Sequence, residues 1–153
     1  KAMTAKIKKI LYATDFSEGS EVAAQCARAM ADLMQAEVLV LHVLSEFADP
    51  NRLRLHSDDY AELEDKVEKL ALEQMHEACE RHFNRENTSW EMRVGIPFKV
   101  IIETARENDV DMIIMGTHGR TGIAHVVLGS TAERVMRKAG RPVLTVPWRD
   151  KAE

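Results

Sequence analysis

Four of the chain's seven glycines, Gly116, Gly119, Gly122 and Gly129, fall within fourteen positions. They lie between a short apolar run, Met112 to Met115, and the segment Ser130-Thr131-Ala132-Glu133. Glycine supplies positive φ and lets a backbone approach a ligand with no Cβ in the way. Ser130 followed three positions on by Glu133 reads as a capping box, with Ser130 as N-cap, and predicts a helix start. The first amides of a helix lack intrahelical partners and sit at the positive end of its dipole, so a phosphate suits the position. The residues equally suit a flexible loop and a well-capped helix that hold no ligand, and on this pattern alone both readings stand.

Other chemistries find less support. The loop contains no lysine and Leu128 precedes Gly129, so the Walker sequence is absent and a fast ATPase is not expected. No nucleophile and base pair at recognisable spacing. Cys26 and Cys79 form no C-x-x-C pair and read as two buried thiols. His76 and His82 lack metal-ligand spacing, and His118 and His125 have no Cys or carboxylate cluster beside them in sequence, so zinc is not expected. His42, alone in an apolar strand, reads as a satisfied core or strand-end histidine.

The elements that must carry these residues follow from periodicity. Ile7 to Ala13 is a strand, and Ser17 caps a first helix whose first turn holds Glu18 and Glu21. Ala23, Cys26, Ala27, Met30, Leu33 and Met34 predict its buried stripe. Glu37 to Leu44 is a central strand, and Ser45 to Asp58 is a loop long enough to act as a flap. A long helix is predicted from Asp59 to Arg85, with Leu63, Val67, Leu70, Ala71, Ala78 and Phe83 on its apolar side and a solvated charged face opposite. Thr88 to Val94 is a weaker, more polar strand suited to an edge, with Trp90 as packing. Pro97 opens a helix that Asn108-Asp109 ends, and Met112 to Met115 is a strand buried on both faces. The last helix, Thr131 to Lys138, is closed by Gly140 and Pro142 before a short strand, Val143 to Val146. Strands alternating with crossover helices predict an α/β fold with a parallel, doubly wound sheet. Periodicity alone leaves strand order open.

With 153 residues and neither linker nor internal repeat, a single domain over residues 1–153 is expected. Apolar content of 45% and charged content of 30% are those of a water-soluble globular domain. The net charge of −4, with no basic run, argues against nucleic acid as the main partner. No apolar stretch is long enough for membrane insertion and no signal-peptide pattern opens the chain, so a cytoplasmic location is expected.

The spacing Gly116-x-x-Gly119, nine residues, Gly129-Ser130 resembles the nucleotide-binding signature of the universal stress protein family, in its ATP-binding branch. The likeness runs through Asp15 and Ser17 of ATDFS, Leu41-His42-Val43, Gly95-x-Pro97 and Arg141-Pro142-Val143. Ala13 stands where the family often has proline and Phe16 where it often has glycine. The resemblance implies a Rossmann-like, five-stranded sheet of order 3-2-1-4-5, with its switch point between the first and fourth strands. It places adenine near Ala13, Asp15 and the backbone of Val43, ribose near Gly116, and phosphates against Gly119, Gly129, Ser130 and Thr131, with Met115 also in the nucleotide site. Arg120 is either a countercharge to those phosphates or an exposed loop arginine. Asp15 touches the nucleoside, holds Mg²⁺ through water, or simply orders the turn before the first helix. Glu133, close to the anion, would weaken binding unless a cation such as Mg²⁺ intervened.

The implied function is that of an ATP-binding stress-response or signalling protein with slow hydrolysis at most, acting on a downstream protein partner that the sequence does not specify. The alternatives are an interaction module of the same fold that binds no nucleotide, and an adenylate-handling transferase, for which His118 is the one visible candidate. The last strand, Val143 to Val146, is apolar and β-branched where a protected edge would carry lysine, and either invites another strand or is protected by Pro142 and Pro147; the resemblance implies antiparallel pairing through it in a homodimer.

Overall fold

The computed structural model describes residues 6–45, 57–83, 85–118 and 128–148. In chain order the elements are β1 (Lys9–Thr14), α1 (Glu18–Met34), β2 (Glu37–Leu44), α2 (Ser57–His82), β3 (Thr88–Val94), α3 (Pro97–Glu107), β4 (Met112–Gly116), α4 (Ser130–Lys138) and β5 (Val143–Val146). A single 3-10 turn, Arg85–Asn87, leads into β3. The sheet has the order β3-β2-β1-β4-β5, and every pairing is parallel. β1 lies at its centre, with Ala13 in register with Leu41 on one side and Met115 on the other.

Alternation along the strands divides the core between two faces. Leu11, Ala13, Leu39, Leu41, Ile113 and Met115 pack against Val100, Ile101 and Ala105 of α3 and Ala132 and Val135 of α4. Ile10, Tyr12, Val38, Val40 and Ile114 meet Ala23, Ala24, Ala27 and Ala31 of α1 and Met75 of α2. Central side chains such as Ile113 and Ile114 are wholly buried, each contributing about 1.5–3 kcal/mol relative to exposure.

The buried face of α1 follows the predicted stripe except at Leu33, with Cys26, Met30 and Met34 half-buried. Gly19, Ser20, Ala23, Ala24, Ala27 and Ala31 are buried, whereas Leu33 is 79% exposed. Small residues let the helix axis approach the sheet, and Met30 and Met34 pack against the same core. α2 buries Ala71, Met75 and His82, packs Val67 half-buried beside them, and leaves the predicted Leu63 and Leu70 exposed. Of the predicted 45–58 loop, residues 46–56 lie outside the described residues, and α2 begins at Ser57.

Pro97 occupies the first turn of α3, and Asn108 closes the helix, its side-chain amide donating to the Thr104 carbonyl at 3.0 Å. Arg141 donates from Nη1 to the carbonyls of Ala105 and Val110, at 2.6 and 2.8 Å. It therefore ties the end of α3 to the approach to β4, at the amino ends of β4 and β5 and away from their carboxyl ends. Among the described residues, no helix is long and apolar enough to cross a membrane.

Candidate functional site

The carboxyl ends of β1 and β4 lie side by side, and the chain leaves them in opposite directions in the sheet order, β1 towards β2 and β4 towards β5. That divergence opens a crevice at the switch point, the place where open α/β sheets receive ligands. Two helix N-termini border it.

The first is that of α1. The turn before it is held by its own side chains: Asp15 Oδ1 accepts from the Ser17 amide at 3.0 Å and from the Ser20 hydroxyl at 2.7 Å. Ser17 Oγ accepts from the Ser20 amide at 3.3 Å, so Ser17 is the N-cap that its residue type predicts. Beneath the turn the buried Tyr12 hydroxyl donates to the Ser20 carbonyl at 2.7 Å, and burial pushes the phenol well above its ordinary pKa. Asp15 thus orders the turn, one of the three roles open to it.

The second N-terminus is that of α4, and here the prediction is corrected. Gly129, not Ser130, is the N-cap, in an extended conformation and with no side-chain cap bond. Ser130 is already the first helical residue, so its hydroxyl is not the cap. Glu133, expected to reach back in a capping box, pairs instead with Arg137 at 2.7 Å one turn on, which sets a cation beside its charge. The glycines also act differently from expectation. Gly129 has φ of −71°, so positive φ is not its reason for being glycine. A Cβ there would lie 2.9 Å from the Thr117 carbonyl oxygen, the same oxygen that accepts from the Gly129 amide at 2.6 Å. At Gly116 a Cβ would come within 3.2 Å of the Gly19 carbonyl oxygen, and at Gly19 within 3.2 Å of that of His118. Glycine at these positions lets the head of α1 and the end of β4 touch through their backbones.

Ala13, Val43 and Met115, from three neighbouring strands, all belong to the face covered by α3 and α4; Ala13 and Met115 are buried and Val43 half-buried. Ala13 and Met115 are direct register partners, and Gly116 follows. Thr131 is half-buried and Ser130 exposed at the head of α4. Gly119, Arg120, Gly122 and His125 lie outside the described residues. The structure therefore brings Ala13, Asp15, Met115, Gly116, Gly129, Ser130 and Thr131 to one end of the sheet.

His118 is near Gly19 through its backbone and has its Nδ1 3.0 Å from the Thr117 hydroxyl. His42 is buried, as a core histidine should be, with its Nδ1–H donating to the Thr14 carbonyl at 2.8 Å. Sequence reasoning missed what this histidine does: its ring lies on that of Phe16, with centroids 4.4 Å apart. Cys26 and Cys79 are free and half-buried rather than buried as expected, and partial burial raises the Cys79 thiol above its ordinary value. No cluster of three or more His, Cys, Asp or Glu suited to a metal occurs among the described residues.

A cavity of about 640 Å³ lies at the other pole, among the ends of α1 and α2 and the starts of β2 and β3. Charges of both signs line it, including Arg28, Asp32, Glu80 and Arg81, and it shares no residue with the crevice. The topology and the uncapped helix favour the crevice.

The universal stress protein family model matches residues 6–147. The chain belongs to the universal stress protein family. Universal stress protein MJ0577 of Methanocaldococcus jannaschii is 37% identical over a 160-residue alignment that spans 94% of this chain and 97% of the relative. Its solved structure matches with a TM-score of 0.82 at 33% identity, covering 96% of this chain and all, 100%, of that one. UspA from Lactobacillus plantarum also has a TM-score of 0.82, at 25% identity, with 94% and 99% coverage. A universal stress protein from Archaeoglobus fulgidus, solved in complex with dAMP, shares the fold at a TM-score of 0.55 and 21% identity, with 93% and 98% coverage. The sheet order described above is that of the universal stress protein fold.

Proposed function

We propose that this universal stress protein binds ATP, accompanied by Mg²⁺, in the crevice between β1 and β4, and acts as a nucleotide-dependent stress or signalling protein. The observation that carries the reading is the head of α4: a helix start with no side-chain cap, facing the switch point, whose amides suit a phosphate. Family membership and the dAMP complex of the Archaeoglobus fulgidus protein support an adenine nucleotide as the anion. Adenine lies near Ala13, Asp15 and the Val43 backbone, ribose near Met115 and Gly116, and phosphates against Gly129, Ser130 and Thr131. Gly119 and Arg120 complete the phosphate contacts in this reading, on the strength of the signature spacing. Asp15 reaches Mg²⁺ through water while it keeps the α1 turn in order.

Calorimetry with MgATP checks the proposal, with a dissociation constant on the order of micromolar expected and weaker binding when Mg²⁺ is withheld. A trace without heat or saturation, together with no adenine absorbance released on denaturing the purified protein, would leave the interaction-module reading. Phosphate release should be slow. Turnover on the order of 10 per second would replace this reading with that of an enzyme.

The reading includes a homodimer through β5, an edge strand whose four residues are all half-buried and whose flank carries the exposed Trp148. An edge of this composition invites a second copy. Light scattering should give twice the chain mass, and Leu144→Lys or Thr145→Pro should halve it with the circular dichroism spectrum intact. A monomeric wild type at tens of micromolar, or a dimer indifferent to both changes, counts against this interface.

A further inference from the structure

Three non-glycine residues have positive φ among the described residues: Phe16 at 62°, Gln35 at 53° and Asp109 at 51°. Gln35 and Asp109 stand just past helix ends, where a left-handed residue closes the last turn. Phe16 stands at neither. It occupies the turn between β1 and α1, and a bulky side chain in that conformation persists only where its surroundings over-determine it.

Those surroundings hold the turn from two sides. Within it, the Phe16 amide donates to Thr14 Oγ1 at 3.0 Å, and Asp15 holds Ser17 and Ser20. From β2, His42 grips the residues on both sides of Asp15: its Nδ1–H donates to the Thr14 carbonyl, and its ring packs on that of Phe16 at a tilt of 34°. The Phe16 ring then continues into a small apolar cluster with Leu44, Tyr60, Val67, Ala71 and Met92. Three of these lie on α2 and none on the face that carries Ala13 and Met115. The ring is therefore rooted in the opposite layer, with its backbone at the crevice.

We propose that Phe16, clasped by His42, is a positioning residue for the nucleotide crevice: it holds Asp15 and the head of α1 in binding geometry and couples that geometry to the seating of α2. The inference rests on the nucleotide reading above and assigns a regulation to that site. Glycine at this position would relieve the backbone yet release the clasp, so a substitution that removes strain should nevertheless weaken binding. Ligand in the crevice should correspondingly tighten α2, although α2 contributes no contact to it.

The test uses the whole chain as wild type, Phe16→Gly, Phe16→Leu and Phe16→Tyr. In wild type, MgATP should shift the His42 ring signals in NMR spectra and slow amide exchange over residues 60–71. Phe16→Gly should bind MgATP at least about tenfold more weakly and lose both remote responses. Phe16→Tyr, which keeps the stack, should bind within about threefold of wild type, and Phe16→Leu, which keeps only apolar bulk, should fall between. Phe16→Gly binding within twofold of wild type, or showing the same protection of α2, overturns the proposal. If wild type fails to bind MgATP, the nucleotide reading fails and the clasp is judged on the free protein. Amide exchange at Ser17 and Ser20 should then be at least about tenfold faster in Phe16→Gly than in Phe16→Tyr, and equal rates overturn it.

Discussion

The two helices that begin at the crevice solve the same problem in different ways. Both must satisfy the amides that a helix start leaves without intrahelical partners. α1 does so internally, with Ser17 on the Ser20 amide and Asp15 on the Ser17 amide. α4 opens on Gly129 with no side-chain cap. Even their first-turn acids differ in reach: Glu21 is bound by Arg81 and His82 from α2, at 2.8 and 2.6 Å, whereas Glu133 pairs within its own helix. A start closed by its own residues serves the fold. A start left open in a crevice is available to an anion, which is the physical basis for assigning the phosphates to α4.

The largest expected effect strikes the open start. Gly129→Val sets a branched side chain where even a Cβ meets the Thr117 carbonyl oxygen at 2.9 Å, forcing the β4–α4 connection to move. MgATP affinity measured by calorimetry should fall at least about tenfold, or about 1.4 kcal/mol. A folded Gly129→Val protein that binds like wild type would break the comparison.

A matched pair of serine substitutions sharpens it. Ser17→Ala removes a cap and should cost about 1 kcal/mol of stability in urea titration, with MgATP affinity within twofold of wild type. Ser130→Ala removes no cap; it should leave the urea midpoint in place and weaken MgATP by about 1 kcal/mol, roughly fivefold. The same outcome from both serines would mean that the two helix starts play the same part.

The smallest effect concerns Glu21. Burial works to raise its pKa, but hydrogen bonds from Arg81 and His82 outweigh it and hold the carboxyl below its ordinary value. A carboxylate depressed in the folded state contributes stability that is fully present above its unfolded pKa and is lost as pH falls through the folded value. The urea midpoint should therefore decline below the ordinary carboxylate range, and Glu21→Gln should flatten part of that decline. Because Glu21 is partly exposed, the difference at neutral pH should be under about 1 kcal/mol. An unchanged acid slope in Glu21→Gln would remove this link between α1 and α2.

Much of this architecture was legible from residue types. EVLVLHVL marks β2 at its observed bounds, TSWEMRV marks the polar edge strand, and Pro97 marks the start of α3, because each depends on local backbone preference. The β-α alternation required a parallel sheet. The serine at the head of α1 was readable as a cap because its bond closes within three residues. What escaped were relations between segments distant in sequence. Leu33 fell out of the predicted stripe because periodicity finds an apolar side, whereas the sheet selects the residues that fit, here centred on the alanines of α1. Ser130 was read as a cap from its spacing to Glu133; the connection from Thr117 to Gly129 moved the helix start one residue earlier. That Gly116 and Gly19 lie tight against neighbouring backbone, and that Phe16 lies on His42, depends on β1 standing beside both β2 and β4. Local sequence therefore determined which elements form and where most begin. Only the packed sheet decided which faces meet and which helix start remains open, since those follow from distances between parts of the chain that sequence spacing does not encode.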